Sequence, residues 1–172
     1  MPAKTNIFKN FKNDYFIETG SYLGDGIQFA IEAGFKNIIS IELSDKYFTH
    51  CSNRFKQYPF VKIIQGDSAD VLYDIIKDIS VPITFWLDGH YSCGDTAKGK
   101  YSSPLIQELD QIKKQCLSTH TIIIDDVRCW RLPNPAHGFD LRNIFDKLKE
   151  INSAYSIEYL DGEEKNDILV AK

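Results

Sequence analysis

The sequence predicts an α/β fold, a mostly parallel seven-stranded sheet with helices on its faces and the last strand reversed. Three observations carry this expectation. Short apolar runs rich in Ile, Val and Phe alternate with amphipathic stretches along the chain. The earlier runs are spaced widely enough for a crossover helix between each pair, as parallel strands require. The last two runs leave no room for a helix, so they form an antiparallel hairpin. With 172 residues, 43% of them hydrophobic, the chain has the size and composition of one domain, residues 1–172, around one core.

Each element has a local reason. The first strand spans residues 15–18 and leads into the turn Gly20-Ser21-Tyr22-Leu23-Gly24-Asp25-Gly26, then a helix to about Ala33 that Gly34 stops. Residues 37–42 form the second strand. Ser44 caps a helix over residues 45–57, which Pro59 closes. Residues 61–65 form the third strand, Ser68 caps a helix over residues 69–79, and residues 83–87 form the fourth strand. Residues 88–103 lack apolar periodicity, and so long a loop in a compact domain is usually functional or disordered; it reads as a site loop. Ser103 and Pro104 start a helix over residues 105–116, with proline at the first helical position. The fifth strand, residues 121–124, runs into Asp125-Asp126. After a proline-containing loop, Asp140 caps a helix to about Ile151, and strands at 156–160 and 167–171 flank a turn at Asp161-Gly162.

Composition excludes several functions. Lys and Arg number 20 against 24 Asp and Glu, a formal net charge of −4, the wrong sign for binding nucleic acid or anionic lipid by bulk electrostatics. Lys4, Lys9 and Lys12 are too dispersed for a nucleic-acid patch. No stretch approaches the roughly 18 apolar residues of a membrane span, and the N-terminus has no apolar signal region. The four cysteines show neither C-x-x-C nor zinc-type spacing, so a reduced, cytoplasmic compartment is expected. A small neutral or cationic ligand suits such a chain.

The chemistry gathers at the strand ends. In open α/β sheets ligands bind at the carboxyl edge, where strand ends, loops and helix N-termini converge. Glu18 ends the first strand, Glu42 the second, Asp88 follows the fourth and Asp125-Asp126 the fifth, while Asp67 follows the third after Gly66. Gly20 and Gly24 permit a close approach between a ligand and the turn. Their G-x-x-x-G-x-G spacing differs from the dinucleotide fingerprint G-x-G-x-x-G, and taken alone it is equally a plain tight turn. Glu42 lies 22 positions beyond Gly20, close to the roughly 20-residue offset at which an acid holds ribose hydroxyls. Together they point to an adenosine-containing cofactor.

The ordered motifs Glu18-Thr19-Gly20-Ser21-Tyr22-Leu23-Gly24, Ile41-Glu42, Gly66-Asp67-Ser68, Leu87-Asp88-Gly89-His90 and Ile124-Asp125-Asp126 resemble those of class I S-adenosylmethionine-dependent methyltransferases. The likeness is to the small O-methyltransferases of the catechol, caffeoyl-coenzyme A and macrocin type. It spans roughly residues 14 to 171, and the reversed last strand agrees with that Rossmann-like, three-layer fold. The resemblance implies S-adenosylmethionine as cofactor, with Glu18, Gly20, Ser21 and Gly24 around its methionine part, Glu42 on the ribose, Asp67 and Ser68 at the adenine, and Asp88 close by. It also implies a Mg²⁺-type cation on Asp88, Asp125 and Asp126, hard oxygens for a hard ion. That ion would bind and acidify an acceptor hydroxyl.

His90 is a candidate general base, with a loop polar contact as its alternative. Lys98 is a second candidate if its charge is suppressed. Catechol-type enzymes carry a lysine shortly after the first metal aspartate, where this chain has Tyr91, so the base stays open. Asx-turn and amide-capping roles for Asp88 and Asp126 compete with metal binding. Tyr91, Arg128, Trp130 and Arg131 form a candidate acceptor wall of aromatic and guanidinium groups. Tyr47, Phe48 and Phe55 read as core. The expected activity is methyl transfer to a hydroxyl of a small molecule or saccharide, with a second copy of the chain as a candidate partner. An NAD(P)-linked oxidoreductase, a sugar-modifying enzyme and a non-catalytic cofactor-binding module are the competing readings.

Overall fold

The structure is a computed structural model that describes residues 4–92, 94, 96–132 and 138–172. Most of the proline-containing loop before Asp140 lies outside the described residues, as do Cys93 and Asp95 of the site loop.

Among the described residues fourteen elements follow one another: α1 (Lys4–Asn10), β1 (Tyr15–Thr19), α2 (Asp25–Glu32), β2 (Ile38–Glu42), α3 (Asp45–Phe55), β3 (Val61–Gln65), α4 (Ser68–Ile76), β4 (Ile83–Leu87), α5 (Leu105–Lys113), β5 (Thr121–Ile124), a 3₁₀ turn (Val127–Trp130), α6 (Leu141–Ile151), β6 (Ile157–Leu160) and β7 (Ile168–Ala171). The strands form one sheet in the order β3-β2-β1-β4-β5-β7-β6. The pairs from β3 to β5 are parallel, whereas β7 runs antiparallel to both β5 and β6.

Strand alternation sorts the core into two layers, because successive side chains point to opposite faces. Ile17, Phe85, Ile122, Ile124 and Leu169 face a layer with Leu72 of α4, Leu109 of α5 and Ile144 and Leu148 of α6. Phe16, Trp86, Ile123, Ile168 and Val170 face the other layer, with Phe8 of α1, Ile27 and Ala30 of α2 and Phe55 of α3. The central strand β4 is buried at all five positions, as expected of a strand covered on both sides.

The structure differs from the sequence reading at several ends. α1 has no counterpart in that reading; Ile7 and Phe8 bury it against β1 and β4, with the Phe8 ring 4.8 Å from Phe16 and 5.0 Å from Trp86. Asp67, not Ser68, caps α4, accepting the Ala69 amide at 3.0 Å, because the Ser68 hydroxyl is turned inward to Glu108. Ser44 caps α3 through its backbone position without a side-chain bond, its own amide being held by Glu42. Pro104 precedes α5 as its N-cap instead of occupying its first turn, and α3, α4 and α5 end two or three residues earlier than periodicity implies. Gly34 stops α2 in the left-handed conformation, and Asp140 caps α6 in a capping box with Asn143, both as expected.

Candidate functional site

Parallel pairing aligns the strand ends, so the residues just beyond β1, β2, β3, β4 and β5 open onto one cavity of ≈ 710 Å³. That lies within the ~300–1,000 Å³ of small-molecule sites. Gly20, Glu42, Asp67, Ser68, Asp88, His90, Tyr91, Asp125 and Asp126 all contribute to its wall.

The turn after β1 brings its backbone against the turn after β4. Gly20 has φ +83°, and a Cβ there would lie 2.6 Å from the Asp88 carbonyl oxygen, so only glycine fits. Glu18, Ser21 and Gly24, expected around the cofactor, stand behind this wall instead. Glu18 is buried under α2, where its Oε2 accepts a 2.5 Å bond from Ser40, whose hydroxyl is in turn 2.6 Å from that of Ser21. Burial pushes the Glu18 carboxyl up to about 8, against the pull of the Ser40 bond. Gly24 starts α2 at φ +88°, where a Cβ would strike the Phe55 ring. These three residues shape the turn from within; the alternation along β1 points Glu18 to the α2 face.

Glu42 ends β2 with its carboxylate aimed by two backbone amides. Oε2 accepts from Tyr22 at 2.9 Å and Oε1 from Ser44 at 2.7 Å, which leaves lone pairs on both oxygens toward the cavity. Tyr22, at φ 46° within the glycine turn, packs its ring 4.7 Å from that of Tyr47, and both line the cavity beside Glu42. The expectation that Tyr47 is purely core is thus corrected: it is buried and also a wall of the site. The site loop folds back over the other end, where Asp67 Oδ2 faces Gly99 so closely that a Cβ there would strike it. Ser68 donates to Glu108 at 2.5 Å, and burial holds that buried carboxyl up at about 7.

The opposite wall is acidic. Asp88 Oδ1 lies 3.7 Å from His90 Nδ1, and Asp126 Oδ2 lies 3.3 Å from His90 Nε2. Asp88, His90 and Asp126 each present a donor atom within 4.8 Å of the others. Asp88 is held well above the usual carboxylate range by burial and by Asp125, which Lys4 partly offsets. Asp126 is raised by the same two causes, while His90 and Arg128 pull it down. Its backbone is left-handed at φ 57°, it lines the cavity, and Arg128 donates to its Oδ1 at 2.6 Å.

Asp125, expected as the third ligand, is outside this group. Its Oδ2 takes a 2.6 Å bond from Lys4 Nζ and its Oδ1 accepts the Asp126 amide at 3.0 Å. His90 is the third member of that donor group. Lys98, a candidate base, is exposed, lies over the Tyr91 ring at 5.7 Å and does not line the cavity. The acceptor wall is also revised. Tyr91 is on the cavity wall, but Arg128 is committed to Asp126, Glu163 and buried Asp167. Trp130 is 2% exposed, stacked on Phe139 and edge-on to His90. Arg131 holds the carbonyls of Lys165 and Asn166 in the β6–β7 connection.

No family model matches the chain, and no curated protein does. Its fold is similar to that of solved structures. An O-methyltransferase from Bacillus cereus in complex with S-adenosylhomocysteine superposes with a TM-score of 0.66 at 13% identity, over 99% of this chain and 81% of that one. TomG from Streptomyces achromogenes, an O-methyltransferase of tomaymycin synthesis in complex with S-adenosylmethionine, gives 0.66 at 11% identity over 97% and 76%. The S-adenosylhomocysteine-bound methyltransferase PaMTH1 of Podospora anserina gives 0.64 at 16% identity over 98% and 75%. At such identities the likeness speaks to architecture, and the strand order with its reversed β7 agrees with it. The chain has the fold of the class I S-adenosylmethionine-dependent methyltransferases.

Proposed function

We propose that the chain is an S-adenosylmethionine-dependent O-methyltransferase that methylates a hydroxyl of a small molecule or saccharide with the help of a divalent cation. One observation carries the reading: the cavity sets Gly20, Glu42 and Asp67-Ser68 on one side and the Asp88, His90 and Asp126 group on the other. The residues fit the cofactor. Gly20 lines the cavity in a left-handed turn packed against the Asp88 backbone, Glu42 offers oriented carboxylate oxygens for two ribose hydroxyls, and the acidic wall suits a sulfonium cation. They also fit a cation, with two carboxylates and an imidazole as donors; the nitrogen admits Mn²⁺ alongside Mg²⁺.

When bound, these groups supply an electrophilic methyl and a Lewis acid that polarises the acceptor oxygen. The protein's part is placement. Glu42 and the Gly20 turn fix the donor, and Tyr91 and the site loop border the space left for the acceptor. Holding both reactants in line removes much of the entropic barrier. An acceptor hydroxyl that took the methyl group would have to give up its proton, and the His90 imidazole on the acidic wall is the group that would receive it. Proton acceptance and metal ligation draw on the same ring nitrogens of His90, and a His90→Gln variant separates them: loss of Mn²⁺ binding marks a ligand, retained binding with slowed transfer marks a base.

Calorimetric titration with S-adenosylmethionine and S-adenosylhomocysteine tests the reading. Saturable one-site binding of both is expected; no binding of either at about millimolar concentration would overturn it.

A further inference from the structure

Lys4 opens α1 at the edge of the acidic wall. Its ammonium bonds Asp125, lies 4.6 Å from the centroid of the Trp86 ring and lines the same cavity as Asp88 and Asp126. It is not on a loose tail, because Ile7 and Phe8 of the same helix are buried in the core. Burial works against its charge, but Asp125, Asp88 and Asp126 outweigh that penalty and keep the ammonium protonated. Three carboxylates therefore share this corner with two fixed cations, Lys4 and Arg128. Arg128 is divided among Asp126, Glu163 and Asp167.

We propose that Lys4 is the resident counter-cation of the acidic wall: it holds Asp125 out of the ligand set and opposes a divalent ion at Asp88, His90 and Asp126. The proposal rests on the methyl-transfer reading only for what that ion does. The physical basis is Coulombic. An ammonium that satisfies Asp125 removes one carboxylate from the pool available to the ion and repels the ion itself from the same cavity. Cation affinity is then set by the N-terminal helix as well as by the three donors.

Manganese titration, with free Mn²⁺ followed by electron paramagnetic resonance, tests this on the full chain and its Lys4→Met, Lys4→Gln and Lys4→Arg variants. The two neutral variants are expected to bind Mn²⁺ about tenfold or more tightly than wild type, while Lys4→Arg matches wild type. Equal or weaker binding by the neutral variants overturns the proposal, as does the absence of Mn²⁺ binding in all four proteins. Should Lys4→Met fail to fold by circular dichroism, the Gln and Arg pair carries the comparison. S-adenosylhomocysteine titration of the same samples keeps the readings apart. Wild type that binds it while Mn²⁺ affinity ignores residue 4 defeats this proposal alone; wild type that does not bind it defeats methyl transfer and leaves the Mn²⁺ comparison standing.

Discussion

Glu42 shows how much one side chain can set. Its two oxygens each accept a backbone amide, one from the glycine turn and one from the start of α3, so the carboxylate ties β1 to α3 before any ligand arrives. Glu42→Gln places an NH₂ against one of those donors and removes the charge proposed to hold the ribose. S-adenosylhomocysteine affinity is expected to fall by about tenfold or more by calorimetry. Glu18 yields a different test. Its folded carboxyl, near 8 instead of 4.5, retains a proton that the unfolded chain releases, so its stabilising contribution is lost as pH rises from 4.5 to 8. Glu108, near 7, acts in the same direction. His120, buried and pushed down to about 4, acts oppositely but only between 4 and 6.5. Thermal stability should therefore fall from pH 6.5 to 8, and Glu18→Gln should flatten that fall in melting curves; an unchanged slope would contradict the assignment. The acids of the rim were legible because a carboxylate after a buried strand stands out in sequence. Lys4, Tyr22 and Tyr47 were not, since a lone lysine or an aromatic at helical spacing acquires its role only from the tertiary neighbour it meets. Which face of β1 Glu18 took was readable from the alternation with Phe16 and Ile17, but not that α2 would close over it.

At the scale of elements, the strands were legible almost residue for residue, because runs such as Ile83–Leu87 and Thr121–Ile124 are apolar or β-branched throughout, with only a threonine in each. Helix ends were less so. Ser68 and Pro104 have strong local preferences, yet a buried partner, Glu108, drew the Ser68 hydroxyl away and left Asp67 to cap α4. α1 escaped detection because two helical turns give too short a window for a period to emerge among Lys4, Lys9 and Lys12. Its importance lies in packing. Phe8 is fully buried against Phe16 and Trp86, and Phe8→Ala is expected to destabilise the protein by about 3–5 kcal/mol in chemical denaturation. A loss under about 1 kcal/mol would mean that α1 is not docked as described.

For the whole molecule, the sheet order explains why acids scattered from Glu42 to Asp126 meet. β1 and β4 lie side by side at the centre, with β2 and β5 flanking them, so four consecutive strand ends share one edge. The reversed β7 lies between β5 and β6, and the β6–β7 connection sends Glu163 and Asp167 to Arg128, which bonds Asp126. Sequence spacing foretold that edge but not that His90, and not Asp125, would group with Asp88 and Asp126, because the bonds that engage Asp125, from Lys4 and from the Asp126 amide, exist only in the folded chain. The proposed function requires one cavity to hold both cofactor and cation. A crystal structure grown with S-adenosylhomocysteine and Mn²⁺ tests it most directly. The expected result places the ribose on Glu42, the adenine beside Asp67 and Ser68, and an anomalous manganese peak among Asp88, His90 and Asp126. A nucleoside bound elsewhere, or manganese on other residues, would contradict it.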